Sequence, residues 1–195
     1  MRVNATGFHY DYTNLQVQNF ITPGVTDISN AATASINGVE LESVAKPMSG
    51  LTLTANLSWL DARYKSFPKA SGPGGITVNA SGNRLNASPQ ESGNVAAQYD
   101  WQVGKGGVMS LRAEGSYQTR EYFEASNSIA QSQAAFGLFN SSLAYSLPDG
   151  KTQVSLWGRN LLNQQYVTAT AAISPVVSGR PGDPRTFGIR FDRSL

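Results

Sequence analysis

The chain has no cysteine, which removes disulfides, thiolate nucleophiles and sulfur-ligated metals together. Histidine occurs once, at His9, and a single imidazole with no thiolate cannot anchor a transition-metal site of familiar ligand type. It also leaves no convincing Ser-His-Asp triad, and no Gly-x-Ser-x-Gly elbow accompanies the many serines. Charged residues make up only 14%, the net charge is +2, and no cluster of Lys and Arg forms a basic face, so nucleic acid is excluded as a partner. Long apolar runs are missing too. Leu51 to Leu60 is broken by a polar residue at every second position, far from the roughly 18 apolar residues of a spanning helix. Met1-Arg2-Val3-Asn4-Ala5-Thr6 has no charged stretch followed by an apolar one, so no secretory signal is expected here, and an exported product is expected to begin upstream.

What the chain does have is room for one architecture in 195 residues. Its apolar fraction of 40% is low, yet aromatics reach 10%, and Ser, Thr, Asn and Gln fill the gap. This points away from an ordinary water-soluble globule. Alternation of period two recurs along the chain. Leu51, Leu53, Ala55, Leu57 and Trp59 alternate with Thr52, Thr54, Asn56 and Ser58. Val95, Ala97, Tyr99 and Trp101 form a second set, Met109, Leu111, Ala113, Gly115 and Tyr117 a third, Phe139, Leu143, Tyr145 and Leu147 a fourth, and Phe187, Ile189 and Phe191 a fifth. Weaker versions occur at Phe8, Tyr10 and Tyr12, at Val39 and Leu41, and at Val154 and Leu156. About eight strands of roughly nine or more residues are expected, and the fold class is all-β and antiparallel.

The connections sort by length. Lys46 to Gly50, Gly104 to Gly107 and Pro148 to Lys151 read as tight hairpin turns. Between them fall long loops at Pro68 to Ser88, Glu124 to Ala135 and Ala169 to Asp183. Tight turns at one end and long loops at the other is the layout of an outer-membrane barrel, and a soluble sandwich has no reason to sort its loops so. On that layout the first, third, fifth and seventh strands run outward. The apolar face would meet lipid and the polar face a wet lumen. Arg112, Glu114 and Arg190 all fall on the polar side, as the cost of about 2 to 4 kcal/mol for Lys or Arg against lipid requires.

Candidate site residues are few. Tyr10, Tyr12, Trp59, Tyr64, Tyr99, Trp101, Tyr122, Phe123 and Tyr166 cluster toward strand ends, and most are expected to form interfacial girdles rather than a ligand site. Arg63, Arg120 and Arg159, with Tyr64 and Tyr122, lie where strands rise toward long loops and would suit an anionic ligand, although lumen ion pairing is the plainer reading. Glu40 and Glu42 share a strand face, but no cleft signal supports glycosidase chemistry. Gly72-Pro73-Gly74-Gly75 lacks the Lys-Ser or Lys-Thr of a phosphate cradle and reads as a loop tip. No catalytic, cofactor-binding or metal residue is assigned, ligand contacts stay unassigned, and neither enzymatic activity nor a cofactor is expected.

Several segments, in order, resemble the C-terminal barrel part of TonB-dependent outer-membrane receptors. They are Asn37-Gly38-Val39-Glu40-Leu41-Glu42 with Lys46-Pro47, Gly50-Leu51-Thr52-Leu53 and Leu60-Asp61-Ala62-Arg63-Tyr64; Gly82-Asn83-Arg84-Leu85 with Ser88-Pro89; Gly158-Arg159-Asn160-Leu161-Leu162-Asn163 with Tyr166; and Gly179-Arg180-Pro181 with Pro184-Arg185-Thr186-Phe187-Gly188. The resemblance spans most of residues 1–195 and implies the last part of a barrel of about 22 strands. It implies a bacterial outer-membrane location in contact with lipid, and uptake of a ferric siderophore, vitamin B12 or another scarce solute, the iron chelate being favoured. A plug domain and an N-terminal coupling box would link the receptor to the TonB system. Neither is seen in this sequence, and Asp192-Arg193-Ser194-Leu195 follows Phe191 in place of a terminal aromatic. A partial receptor is therefore expected, its missing barrel strands and plug being partners. Two alternatives stay open: a self-contained eight-stranded barrel serving as anchor, adhesin or lipid enzyme, which would pair the strand near Phe8 with that near Phe187, and a soluble carbohydrate-binding β-sandwich.

Overall fold

The computed structural model describes residues 1–22, 25–72, 75–173 and 176–194. Its strands are β1 (Arg2–Thr22), β2 (Val25–Met48), β3 (Leu51–Ser66), β4 (Ala70–Ser71), β5 (Thr77–Val78), β6 (Glu91–Val103), β7 (Gly107–Gln118), β8 (Glu121–Tyr122), β9 (Ser132–Gln133), β10 (Phe136–Ser146), β11 (Thr152–Arg159), β12 (Val167–Ile173), β13 (Val176–Pro181) and β14 (Thr186–Arg193). Eight of them form one antiparallel sheet in the order β1-β2-β3-β6-β7-β10-β11-β14. The other six pair two by two within the connections. The expected eight-strand antiparallel plan is thus present, although β11 and β14 have only 8 residues each. β1 and β14 are the two ends of the sheet. Among the described residues no ladder joins them, so the pairing of a closed eight-stranded barrel is absent.

All three tight turns form where expected, at one end of the sheet. Gly50 (φ +79°), Gly104 (+60°), Gly106 (+98°) and Gly150 (+66°) supply the left-handed conformations that side chains with a Cβ resist. In the third turn Asp149 accepts hydrogen bonds from the Thr152 hydroxyl at 2.7 Å and from the Lys151 and Thr152 amides at 2.9 Å. These bonds, led by that of the Thr152 side chain, hold its carboxyl below the usual range.

The other end carries the long connections, and they are more ordered than the sequence suggests. Ala169 to Asp183, read as an open loop, is mostly the β12-β13 hairpin. Its Ala- and Thr-rich strand Val167–Ile173 offers little contrast between faces, so periodicity misses it. β1 and β2 also extend further than expected. β3 stops pairing with β2 at Thr33↔Ser66, while the β1-β2 ladder continues to Thr22↔Val25. The stretch 13–31 has only a short or faint two-sided pattern to announce this.

Register assigns every residue of the large sheet to one of two faces. Val39↔Trp59, Leu53↔Ala97, Tyr99↔Leu111 and Leu156↔Ile189 share the first face. Glu42↔Asn56, Asn56↔Asn94, Gln98↔Arg112 and Ser155↔Arg190 share the second. The apolar face covers no core: Leu53, Tyr99 and Leu111 are 39%, 40% and 45% exposed. The soluble-sandwich reading fails on this point, because no second sheet packs there among the described residues.

The dry cluster lies instead at the loop end. Ala32, Tyr64, Phe67, Ala70, Ala80 and Ala125 are buried together there, with Leu15, Val17, Val78 and Leu85 packed around them. A second anchor ties the last loop down. Buried Asn160 sits at φ +48° and donates through Nδ2 to the Gln164 and Asp183 carbonyls, while its Oδ1 accepts from the Gln164 amide. Nearby, Tyr166 stacks on Phe136 with centroids 4.6 Å apart, and the Val167 amide donates to Gln133 Oε1.

Three substitutions test these features. Gly104→Ala meets open space and should cost about 1 to 2 kcal/mol of left-handed strain. Gly50→Ala should cost more, because its Cβ would also stand 2.3 Å from the Asp100 carbonyl oxygen; the thermal loss of β-sheet circular dichroism in detergent ranks the two. Asn160→Ala strands several buried polar partners at about 1 to 3 kcal/mol each, and should show as faster tryptic cleavage after Arg185, in the loop that Asn160 holds.

Candidate functional site

The apolar face carries a band without charge. Along the described residues it includes Val39 to Ala45, Leu51 to Trp59, Gly93 to Trp101, Met109 to Tyr117, Val154 to Gly158 and Phe187 to Phe191, counting alternate positions. Leu51 to Trp59 is nine residues, about 27 Å at roughly 3.4 Å per step, which is the span of a tilted membrane strand. Ionisable side chains on this face begin only beyond the band. At the loop end His9 lies 3.4 Å from Asp11, Lys65 pairs with Asp11 at 2.5 Å, and Arg63 with Asp61 at 2.7 Å. Glu91 lies beside Trp59, and Arg193 stands at the turn end.

The opposite face carries most of the sheet's polar side chains, and many of them satisfy one another. The Asn4 amide donates to Glu42, Asn56 to Asn94, and Gln98 to Asp100. Arg112 pairs with Glu114 at 2.8 Å and Arg190 with Asp192 at 2.8 Å. These pairs are half-exposed, so each adds little stability and mainly keeps its charges compatible with water. A hollow of about 680 Å³ opens on this face, lined by Arg112, Glu114, Asn140, Trp157, Arg159 and Arg190 among others. Arg159 stands over the Trp157 ring at 5.5 Å and has no carboxylate within ion-pair distance among the described residues. With Arg112 and Arg190 each paired to a carboxylate, the hollow keeps one surplus positive charge, that of Arg159, and this favours an anionic visitor.

The structure redistributes the aromatic residues. Of the nine expected to serve mostly as girdle, Trp59, Tyr99 and Trp101 lie on the apolar face, with Tyr99 and Trp101 stacked at 5.7 Å. Tyr10, Tyr12 and Tyr64 lie on the polar face instead, in register with Ile36 and Ala34. Tyr64 is buried under the loops, and its hydroxyl donates to Asn86 Oδ1 at 3.5 Å. Tyr122, Phe123 and Tyr166 belong to the loop end. Phe8, Tyr10 and Tyr12 form a column with centroids 5.5 and 6.3 Å apart, and the Phe8 ring fills the space where a side chain on Gly38 would stand. Counting parity from Asn4 and Thr6 places this column on the polar face.

Arg63, Arg120 and Arg159 each have a separate partner, and only Arg63 has the ion pair that the plainer reading expects. Arg63 is on the apolar-face side with Asp61, Arg120 donates to the Ser132 hydroxyl at 2.8 Å, and Arg159 sits over Trp157. Glu40 and Glu42 do share the polar face. His9 is a strand residue whose Nδ1 lies 2.8 Å from Asn37 Oδ1. Residues 73 and 74 of the glycine-rich tip lie outside the described residues. Among the described residues no group of three or more His, Cys, Asp or Glu could hold a metal ion.

This two-faced sheet with sorted connections matches known proteins in fold. The chain matches solved structures that include the ferric yersiniabactin uptake receptor FyuA from Yersinia pestis, with 19% identity, a TM-score of 0.80, and coverage of 98% of this chain and 27% of that one. The siderophore receptor PiuA from Acinetobacter baumannii gives 18% identity, a TM-score of 0.73, and coverage of 98% and 26%. The ferripyoverdine receptor of the outer membrane of Pseudomonas aeruginosa gives 16%, 0.64, 98% and 25%. The chain thus spans about a quarter of the length of these receptors. A family model described as TonB dependent receptor-like, beta-barrel, matches residues 1–161. The chain belongs to the TonB-dependent receptor β-barrel family.

Proposed function

We propose that this chain, residues 1–195, walls part of an outer-membrane receptor that takes up a scarce solute with TonB-derived energy, a ferric siderophore being the favoured cargo. The charge-free apolar band carries this reading. Outward-facing apolar side chains at alternate positions of each band, five of them from Leu51 to Trp59, with the charged groups beyond them or on the other face, suit a bilayer and are wasted in water. The polar face then borders the lumen, and the Arg159 guanidinium in the hollow, without a carboxylate partner among the described residues, suits an anionic chelate. The printed names of the structural neighbours, ferric and siderophore receptors, support the same cargo class.

On this reading the tight turns face the periplasm and the loop cluster faces outward. The unpaired edges of β1 and β14 would join the remaining barrel strands, since open edges are not tolerated in hydrocarbon. A plug contributed by the rest of the receptor would carry the contact with TonB. The role is transport rather than catalysis.

Two measurements check it. In the receptor that contains this segment, Val95→Lys should lower stability in lipid vesicles by about 2 to 4 kcal/mol, while Asn94→Lys, one residue away on the polar face, should change it by less than about 1 kcal/mol; chemical denaturation of the two variants decides. Cells carrying the intact gene should accumulate radiolabelled iron from at least one ferric siderophore, and lose that uptake when tonB is deleted. Uptake unchanged by loss of the gene across the siderophore panel would sink the cargo assignment.

A further inference from the structure

Each of the three tight turns carries one lysine: Lys46, Lys105 and Lys151. Arg193 stands beside the third, opposite Thr152 on the apolar face. All four side chains are exposed, and among the described residues none lies within ion-pair distance of a carboxylate, whereas Arg63, Lys65, Arg112 and Arg190 are all paired. The nearby acids are already engaged. Asp149 is bound by its own turn, Asp192 by Arg190, and Asp100 by Gln98 on the polar face.

The turn end of the apolar face adds a second observation. The stacked Tyr99–Trp101 pair, Tyr145 in register with Met109, and exposed Met48 and Val103 form a rim of rings and thioethers directly below the cations. Amphipathic rings of this kind settle at headgroup depth, which puts the four cations at the level of lipid phosphates. Successive turns are two strands apart, so the lysines recur at about 10 Å along the rim. One inorganic phosphate cannot bridge that distance, but a row of headgroups can meet each cation in turn.

We propose that the tight-turn rim is a binding surface for anionic phospholipid headgroups, with Lys46, Lys105, Lys151 and Arg193 as the contact cations. This rests on the reading of the sheet as a membrane wall and goes beyond it, because a wall needs only apolar contact. The rim would hold acidic lipids around this arc of the barrel and fix the height of the turns in the leaflet.

The test uses the receptor that contains this segment, in detergent micelles, with Trp59, Trp157 and any tryptophan outside the segment replaced by Phe so that Trp101 is the energy donor. Dansyl-labelled phosphatidylglycerol and phosphatidylcholine are titrated separately at low salt. Phosphatidylglycerol should saturate at clearly lower concentration, and the preference should fall about fivefold for each cation removed in K46Q, K105Q and K151Q. A charge-matched variant at the other end, K69Q with R180Q and R185Q, should keep it. Equal saturation by the two lipids, an undiminished preference in the triple turn variant, or an equal loss in the charge-matched control each overturns the proposal. So does displacement of phosphatidylglycerol by inorganic phosphate at matched ionic strength. Absence of energy transfer from either lipid would instead strike the membrane-wall reading itself.

Discussion

A hydrogen-bonded strand sends successive side chains to opposite sides, and in this sheet the two sides call for different media. Leu57 and Val95 point one way, Asn56 and Asn94 the other, and the ladder Asn56↔Asn94 holds them so across strands. A slip of one residue would place Glu42, Arg112 and Arg190 in the apolar band and Leu41, Leu111 and Ile189 against the polar groups. The register of the tight turns is therefore under strong selection by energy alone. The turn glycines and the bonded carboxylate of Asp149 serve that register, since they set where each hairpin begins to count.

Much of this was legible in the residues. Alternation in Leu51 to Trp59 and Met109 to Tyr117 announced both the strands and their faces, and the glycine-containing turns marked the hairpins. The features that escaped are those in which side-chain chemistry and backbone conformation carry little contrast. β12 alternates mainly Ala with Thr, a weak contrast, and beyond Leu15-Gln16-Val17-Gln18 the far ends of β1 and β2 mix apolar residues with Asn, Thr and Ser, so the period there is short or faint. Ring type alone does not place Tyr10, Tyr12 and Tyr64. A tyrosine is at home at a lipid interface and equally in a wet lumen or under a loop, and only its register with Ile36 and Ala34 separates these.

The polar wall is less of a site than the residue list suggested and more of an electrostatic surface. Two ion pairs on it, Arg112–Glu114 and Arg190–Asp192, close at 2.8 Å, and so they shape a field without marking one binding point. Arg159 differs, because its contact is the Trp157 face rather than a carboxylate. Asn160, the next residue, is buried and anchors the loop above it. A cation left open on the wall beside a fixed loop base joins the hollow to the outer mouth. The motif Gly158-Arg159-Asn160 thus combines two unlike tasks in adjacent residues.

The small dry cluster at the loop end has a thermodynamic corollary. In a soluble domain, melting exposes a large apolar interior to water, and the resulting heat-capacity increment bends the stability curve. Here the apolar surface already faces outward in the native state, and little beyond the Tyr64–Phe67 cluster is sealed within the protein. Calorimetric unfolding in micelles that stay bound to the chain should accordingly show a small increment for 195 residues, a nearly straight free-energy profile against temperature, and cold denaturation displaced far below freezing.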